Sequence, residues 1–295
     1  MKKRSLKFND KAKDFLKSMC FLSPSLLGVG VFFIIPFFVV VYYSVIDGVG
    51  SRNFVFLDNF VKLFQNSAFL TAAKNTLTFS FLAVPLAVIL SMALALMLEC
   101  RIPLKSQFRT FFLSPMMVPV ASVVLIWQVL FNYNGTVNEF IMLFGADKID
   151  WLQTDYAMLV VIILFLWKNL GYNMILFMAA LNNIPKELIE AAELDGATGR
   201  YIFFHIKLRY LSPTVLFVTI LSIINSFKIF REIYLLTGDY PYDGLYMLQH
   251  FMNNMFKHLD YQRLSAAAVF LAIVIVILVA LLFLIENYFG KDVEG

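Results

Sequence analysis

The sequence predicts an all-α, polytopic membrane protein with six transmembrane helices. Three observations lead there. Hydrophobic residues make up 60% of the chain and charged residues 15%, whereas a soluble domain averages roughly 45–50% and about 25%. Six apolar segments, Phe21–Ile46, Thr76–Leu98, Phe111–Phe131, Tyr156–Leu181, Pro213–Leu236 and Ala266–Tyr288, each approach or exceed the ~20 residues that cross a bilayer. The basic residues are also unevenly divided between the two sides those spans define. On the side holding both termini lie Lys2, Lys3, Arg4, Lys7, Lys11, Lys13, Lys17, Arg101, Lys105, Arg109, Lys186, Arg200, Lys207, Arg209 and Lys291, against Arg52, Lys62, Lys74, Lys148, Lys257 and Arg263 opposite. The excess marks the cytoplasmic side, so both termini are expected there.

The basic segment 1–20 orients the first span. It lacks the aromatic interleaving of a nucleic-acid arm, and membrane lipid is its expected partner. Phe21–Ile46 is longer than the 7–15-residue core of a signal peptide and no small-residue cleavage site follows, so it reads as a retained span. In the first outer loop Asp58 is placed to cap a short helix with Phe60, Leu63 and Phe64 facing one way. The short link from Glu99 to Thr110 makes spans two and three antiparallel neighbours. Pro115 and Pro119 predict a kink or break in span three, tolerable in a bilayer only beside protein or a water-filled cavity. Asn134-Gly135 and Gly145 predict turns in the second outer loop. Leu245, Leu248, Met252, Met255 and Leu259 form an apolar stripe predicting an interfacial helix in the third. The chain reads as one six-helix transmembrane domain over 21–289, with a cytoplasmic loop at 182–212 and a tail at 290–295.

Little supports covalent chemistry. His205, His250 and His258 make no HExxH pattern and read as ordinary interfacial residues. Cys20 and Cys100, both at cytoplasmic span ends, form no disulfide framework or metal site. No GxxxxGK[ST] sequence occurs, so ATP is not bound here by that device. The polar residues inside spans are more informative: Lys168, Asn169 and Asn173 in span four, and Asn225, Lys228, Arg231 and Glu232 in span five. A cation at mid-membrane costs ~2.5–3.5 kcal/mol and so faces the bundle or water. Lys228 and Glu232, four apart, are placed to pair. Arg231 and Glu232 read as interfacial, within snorkelling reach of the outer surface. Trp167, Tyr172, Asn173, Asn225 and Lys228 are the candidate substrate path. Aromatic faces and amides suit the C–H faces and hydroxyls of a carbohydrate.

The loop NNIPKELIEAAELDGATGRYIFFHIKLRYLSP, Asn182–Pro213, is the one sizeable internal stretch rich in charges of both signs. Pro185 suits the first turn of a helix, Lys186–Leu194 favour one, and Gly196 supplies the positive φ that ends one. Thr198 is placed to cap a second short helix ending before Pro213.

Glu190-Ala191-Ala192, then Asp195-Gly196-Ala197, then Ile206 and Leu208 resemble the EAA loop of membrane subunits of bacterial ATP-binding-cassette importers. With Leu57–Phe79 and Phe230–Pro241, the chain looks most like sugar-importer permeases related to the maltose system. The resemblance implies a cytoplasmic EAA-loop coupling helix docked on an ATPase, carried by Lys186, Glu187, Glu190, Ala191, Ala192, Asp195, Gly196 and Ala197. It implies a second homologous permease subunit, two cytoplasmic ATPase subunits and an extracytoplasmic solute-binding protein, in a bacterial cytoplasmic membrane. ATP and Mg would sit on the ATPases and no cofactor on this chain, which is expected to be no enzyme. The implied substrate is a sugar or oligosaccharide, with a solute such as glycerol phosphate as the alternative. An ion-coupled secondary transporter is the rival from another class. The sequence departs from the family at Leu208-Arg209, where Leu-Pro is common, which leaves the start of span five open.

Overall fold

The computed structural model describes residues 2–48, 50, 52–99 and 104–289. Cys100, Arg101 and the tail 290–295 lie outside them, as do the side chains of Lys2, Lys3, Arg4, Lys7 and Lys11. Among the described residues the only β pairing is an isolated antiparallel bridge, Ile46 with Phe54; the rest of the regular structure is helical. In order the helices are α1 (Lys2–Val29), α2 (Ile35–Ser44), α3 (Asp58–Phe64), α4 (Ser67–Glu99), α5 (Lys105–Met117), α6 (Val120–Leu130), α7 (Thr136–Met142), α8 (Ala157–Asn182), α9 (Lys186–Leu194), α10 (Gly199–Ile202), α11 (Leu208–Lys228), α12 (Phe230–Thr237), α13 (Leu248–Lys257) and α14 (Tyr261–Phe289). Among the described residues five helical stretches are long and apolar enough to cross a membrane, and α5 with α6 make a sixth if the bent pair counts as one span. The chain forms two compact units, residues 2–65 with 255–272 and residues 66–254 with 273–289.

In the first unit, α1 passes into α2 through a π-helical turn at Gly30–Ile34, where the Ile35 N–H reaches back to the Gly30 oxygen. Pro36 explains the wide turn: its ring would clash with the carbonyl four residues earlier in a regular α-helix. The apolar window of this span buries no residue, and Phe21, Phe32 and Phe33 stand bare. After α2, Asn59 donates to the carbonyls of Ser44 (3.0 Å) and Ile46 (2.8 Å), closing the outer loop onto the span. The N-cap of α3 is Leu57, not Asp58. Asp58 is instead the first helical residue and pairs with Lys62 one turn on at 2.6 Å, an alternative use of the carboxylate near a helix N-terminus. Of the three apolar residues expected on one face of α3, only Leu63 is fully buried, while Phe64 stays exposed with its edge against Phe270.

The second unit is built on α4 against α8. Ala83 and Ala87 of α4, both fully buried, let α8 approach and present Val160, Val161 and Leu164. Phe79 and Phe165 meet edge-to-face at 5.5 Å, a geometry worth about 0.5–1.5 kcal/mol beyond contact area. Lipid offers apolar groups as good a home as protein, so close packing and interhelical hydrogen bonds carry the association. Three such bonds bind α11 into the unit: Ser80 with Ser226 (2.8 Å), Asn173 to Ser222 (3.0 Å) and Asn225 to Asn169 (2.9 Å).

Span three is broken rather than kinked. Between α5 and α6 only Val118 and Pro119 intervene, both with extended backbone, and the axes turn through 101°. Pro119 disfavours the α conformation of the residue before it, which places the break at Val118; Pro115 is accommodated inside α5. Between the turns predicted at Asn134-Gly135 and Gly145 stands a helix, α7. Its Asn138 is fully buried, donating to the carbonyls of Tyr133 (2.9 Å) and Ile149 (2.8 Å) and accepting from the Ile149 N–H and the Trp151 indole.

The segment 237–265 does hold a helix, α13. Of the predicted stripe Leu245 and Leu248 are buried and Met252 and Met255 partly so, while Leu259 lies beyond the helix, 67% exposed at positive φ; His250, Phe251 and Asn254 complete the buried face. His250 is fully enclosed; its Nδ1 accepts the Met247 N–H at 3.2 Å, which leaves the ring proton on Nε2. Burial disfavours the imidazolium and pushes its pKa from 6.5 to about 4, against the opposing pull of Asp239. Because the folded-state value is the lower one, stability should be full above the unfolded pKa and fall as pH drops from 6.5 to about 4. The loss should reach roughly 3 kcal/mol. Thermal unfolding across that range should show the slope, and His250→Asn should flatten it; an unchanged slope would mean His250 is not its source.

Candidate functional site

The loop between α8 and α11 is defined by its caps. Pro185 sits at the N-cap of α9 with extended ψ of 127°, one position earlier than the first turn expected of it. Preceding the helix suits proline equally, since no N–H is required there. At the other end the Ala197 N–H bonds to the Ala192 oxygen (2.9 Å) and the Gly196 N–H to the Glu193 oxygen (3.0 Å). Gly196 takes φ of +81°. This is the left-handed close that glycine permits without a Cβ clash. The Thr198 hydroxyl then accepts from the Tyr201 N–H, starting α10 as the sequence predicted.

Span five begins earlier than Pro213. α10 continues through a π-helical turn at Phe203–Lys207 into α11, and Pro213 lies within that helix. Arg209 retains the N–H that a proline would lack, so the helix is not interrupted there. Ile184 and Ile202, both nearly fully buried, anchor the base of the loop, and Lys207 clasps Glu99 at the end of α4 at 2.7 Å. No residue of α9 itself is buried. Lys186, Glu187, Glu190, Ala191 and Asp195 are exposed, Ala192 and Ala197 half-buried, and Leu194 is 90% exposed.

At the break in span three opens a cavity of about 670 Å³. Tyr172, Asn225 and Lys228 of the predicted path line it, together with Lys168, Asn169, Arg231 and Glu232, and Gln249 from α13. Trp167 and Asn173 do not. Trp167 packs on Trp127 in the core at 5.1 Å between ring centroids, and Asn173 is buried against Ser222. The expected Lys228–Glu232 pair is not formed. Glu232, only 5% exposed, pairs with Lys168 of α8 instead. The helix breaks at Ile229 between the two residues of the expected pair, so the regular four-residue spacing does not apply. Glu232 is thus a core residue rather than an interfacial one.

One determinant of this geometry escaped the sequence reading. A Cβ on Gly171 would lie 1.8 Å from the Phe112 oxygen and 2.5 Å from its carbon, so α8 and α5 touch backbone to backbone beside the cavity. A glycine two residues from intramembrane Asn169 was the only signal, and in sequence it is indistinguishable from a neutral helical glycine.

The profile of binding-protein-dependent transport system inner membrane components matches residues 87–295. The arabinooligosaccharides transport system permease protein AraP of Bacillus subtilis (strain 168) is 30% identical over 243 residues, covering 79% of this chain and 74% of its own. The lactose transport system permease protein LacF of Rhizobium radiobacter is 29% identical over 282 residues, covering 92% and 93%. The sn-glycerol-3-phosphate transport system permease protein UgpA of Escherichia coli O6:K15:H31 is 34% identical over 210 residues, covering 70% and 71%. In fold, the chain is similar to one in the crystal structure of a bacterial alginate ABC transporter with an alginate pentasaccharide-bound periplasmic protein. That match has a TM-score of 0.82 at 22% identity, over 96% of this chain and 98% of the other. The chain belongs to the family of binding-protein-dependent transport system inner membrane components, and it is a multi-pass permease subunit, a transport component rather than an enzyme.

Proposed function

We propose that this chain forms half of the translocation path for a sugar or oligosaccharide. A second homologous permease supplies the other half, an extracytoplasmic binding protein delivers the solute, and two cytoplasmic ATPase subunits hold ATP and Mg. Both termini and the α9 loop face the cytoplasm, in keeping with the basic residues on that side. One observation carries the reading: α8 and α11, which flank the loop, are the same helices that line the cavity. Closure of the ATPase pair pushes on α9, and the rigid helices on either side carry the displacement to the cavity. Asn169, Asn225 and Tyr172 present amides and a phenol suited to hydroxyl groups. The relatives named for arabinooligosaccharides and lactose support the sugar class.

The complex purified through a tag on this chain, reconstituted in proteoliposomes with its binding protein, tests this. Uptake of a labelled oligosaccharide should require ATP on the ATPase side and persist when ion gradients are collapsed. Uptake that needs an ion gradient and ignores ATP would overturn the proposal.

A further inference from the structure

The charges lining the cavity do not balance. Lys168 is engaged by Glu232, which closes that pair. Lys228 and Arg231 also line the wall, both exposed, and among the described residues no carboxylate lies within ion-pair distance of either. Among the described residues Glu232 is the only acidic one of this lining, so this chain's share of the wall carries a net excess of two positive charges. Hydroxyls can be met by amides alone, whereas two cations without a carboxylate beside them suit a ligand that brings its own negative charge. Two like charges beside one low-dielectric wall repel each other and attract an anion. The guanidinium adds a planar fork that matches a carboxylate or phosphate with two parallel hydrogen bonds.

Resting on the proposed transport role, we infer that the solute taken by this cavity carries an anionic group, a carboxylate or phosphate on a sugar or polyol, held by Lys228 and Arg231. Asn169, Asn225 and Gln249 meet the hydroxyls around it.

A reporter thiol decides the matter. In a Cys20→Ser, Cys100→Ser background, Met116→Cys places one reactive group on the cavity wall. The complete complex in lipid nanodiscs is then labelled with a neutral maleimide in the presence of digalacturonate, glycerol 3-phosphate or maltose. At least one anion should slow labelling, digalacturonate marking a carboxylate site and glycerol 3-phosphate a phosphate site. The concentration needed should rise about tenfold or more in Lys228→Gln/Arg231→Gln. Equal protection by maltose, protection unchanged in the double variant, or no protection by either anion overturns the inference. ATP-driven uptake of maltose by the same complex would leave the transport role standing while the anion site fell.

Discussion

Gly171→Ala will leave little intact protein to purify. The added Cβ would lie 1.8 Å from the oxygen and 2.5 Å from the carbon of Phe112, and the next atom, the Leu113 nitrogen, is at 3.1 Å. These are backbone atoms of α5, so no side-chain rotation relieves the overlap and the two helices must separate. Overpacking ordinarily costs about 1–3 kcal/mol, and a clash against fixed backbone belongs at or above the upper end. α5 leads directly into the break that lines the cavity, so the site is lost with the packing. Gly28→Ala in α1 is the control. Nothing lies within 4 Å of its new Cβ, and alanine gains up to about 1 kcal/mol of helix propensity. Thermal unfolding and size-exclusion profiles in detergent should separate the two variants sharply. A Gly171→Ala protein as stable as wild type would mean α5 and α8 do not meet as described.

The second large effect belongs to the pair across the cavity. Glu232→Gln removes the carboxylate and strands the Lys168 ammonium, whose side chain is only about a quarter exposed. Breaking a buried pair from one side costs about 3–5 kcal/mol, and the partial exposure of Lys168 places this case at the lower end. Lys168→Met paired with Glu232→Leu removes both charges and should recover most of the stability, because no uncompensated charge remains. A double-mutant cycle on unfolding free energy measures the coupling directly. Single variants that cost less than about 1 kcal/mol would show the pair to be no stronger than a surface ion pair.

What the sequence revealed and what it concealed divide along a physical line. Hydropathy located the spans, because lipid demands long apolar runs wherever a helix crosses. The two-helix knob between α8 and α11 was legible from its punctuation: Gly196 and Thr198 act on their immediate neighbours, and local rules are readable one residue at a time. Pro115 and Pro119 announced a kink or break in span three for the same reason, and the break lies at Val118 and Pro119. Long-range partners were not legible. The link from Glu232 to Lys168 spans more than sixty residues of chain, and a four-residue spacing offered Lys228 as a plausible substitute. Asn138 looked like one more loop amide, yet it holds the second outer loop together by bonds to residues on both sides. Trp167 and Asn173 carried the chemistry of a sugar site, but helix rotation turned both into the packing. The close approach at Gly171 left no trace in composition at all.

The proposed role of α9 as the joint to an ATPase is tested most directly by what co-purifies with a tagged chain after mild detergent extraction, wild type against Glu190→Lys. Glu190 is exposed on a helix that buries nothing within this chain, so charge reversal there should spare the fold while placing repulsion at the joint; like charges across an interface cost several kcal/mol. Mass spectrometry should find a P-loop ATPase and a second permease with the wild type, and the permease alone with Glu190→Lys. Equal recovery of the ATPase with both proteins, or its absence from an intact wild-type preparation, would contradict the coupling role.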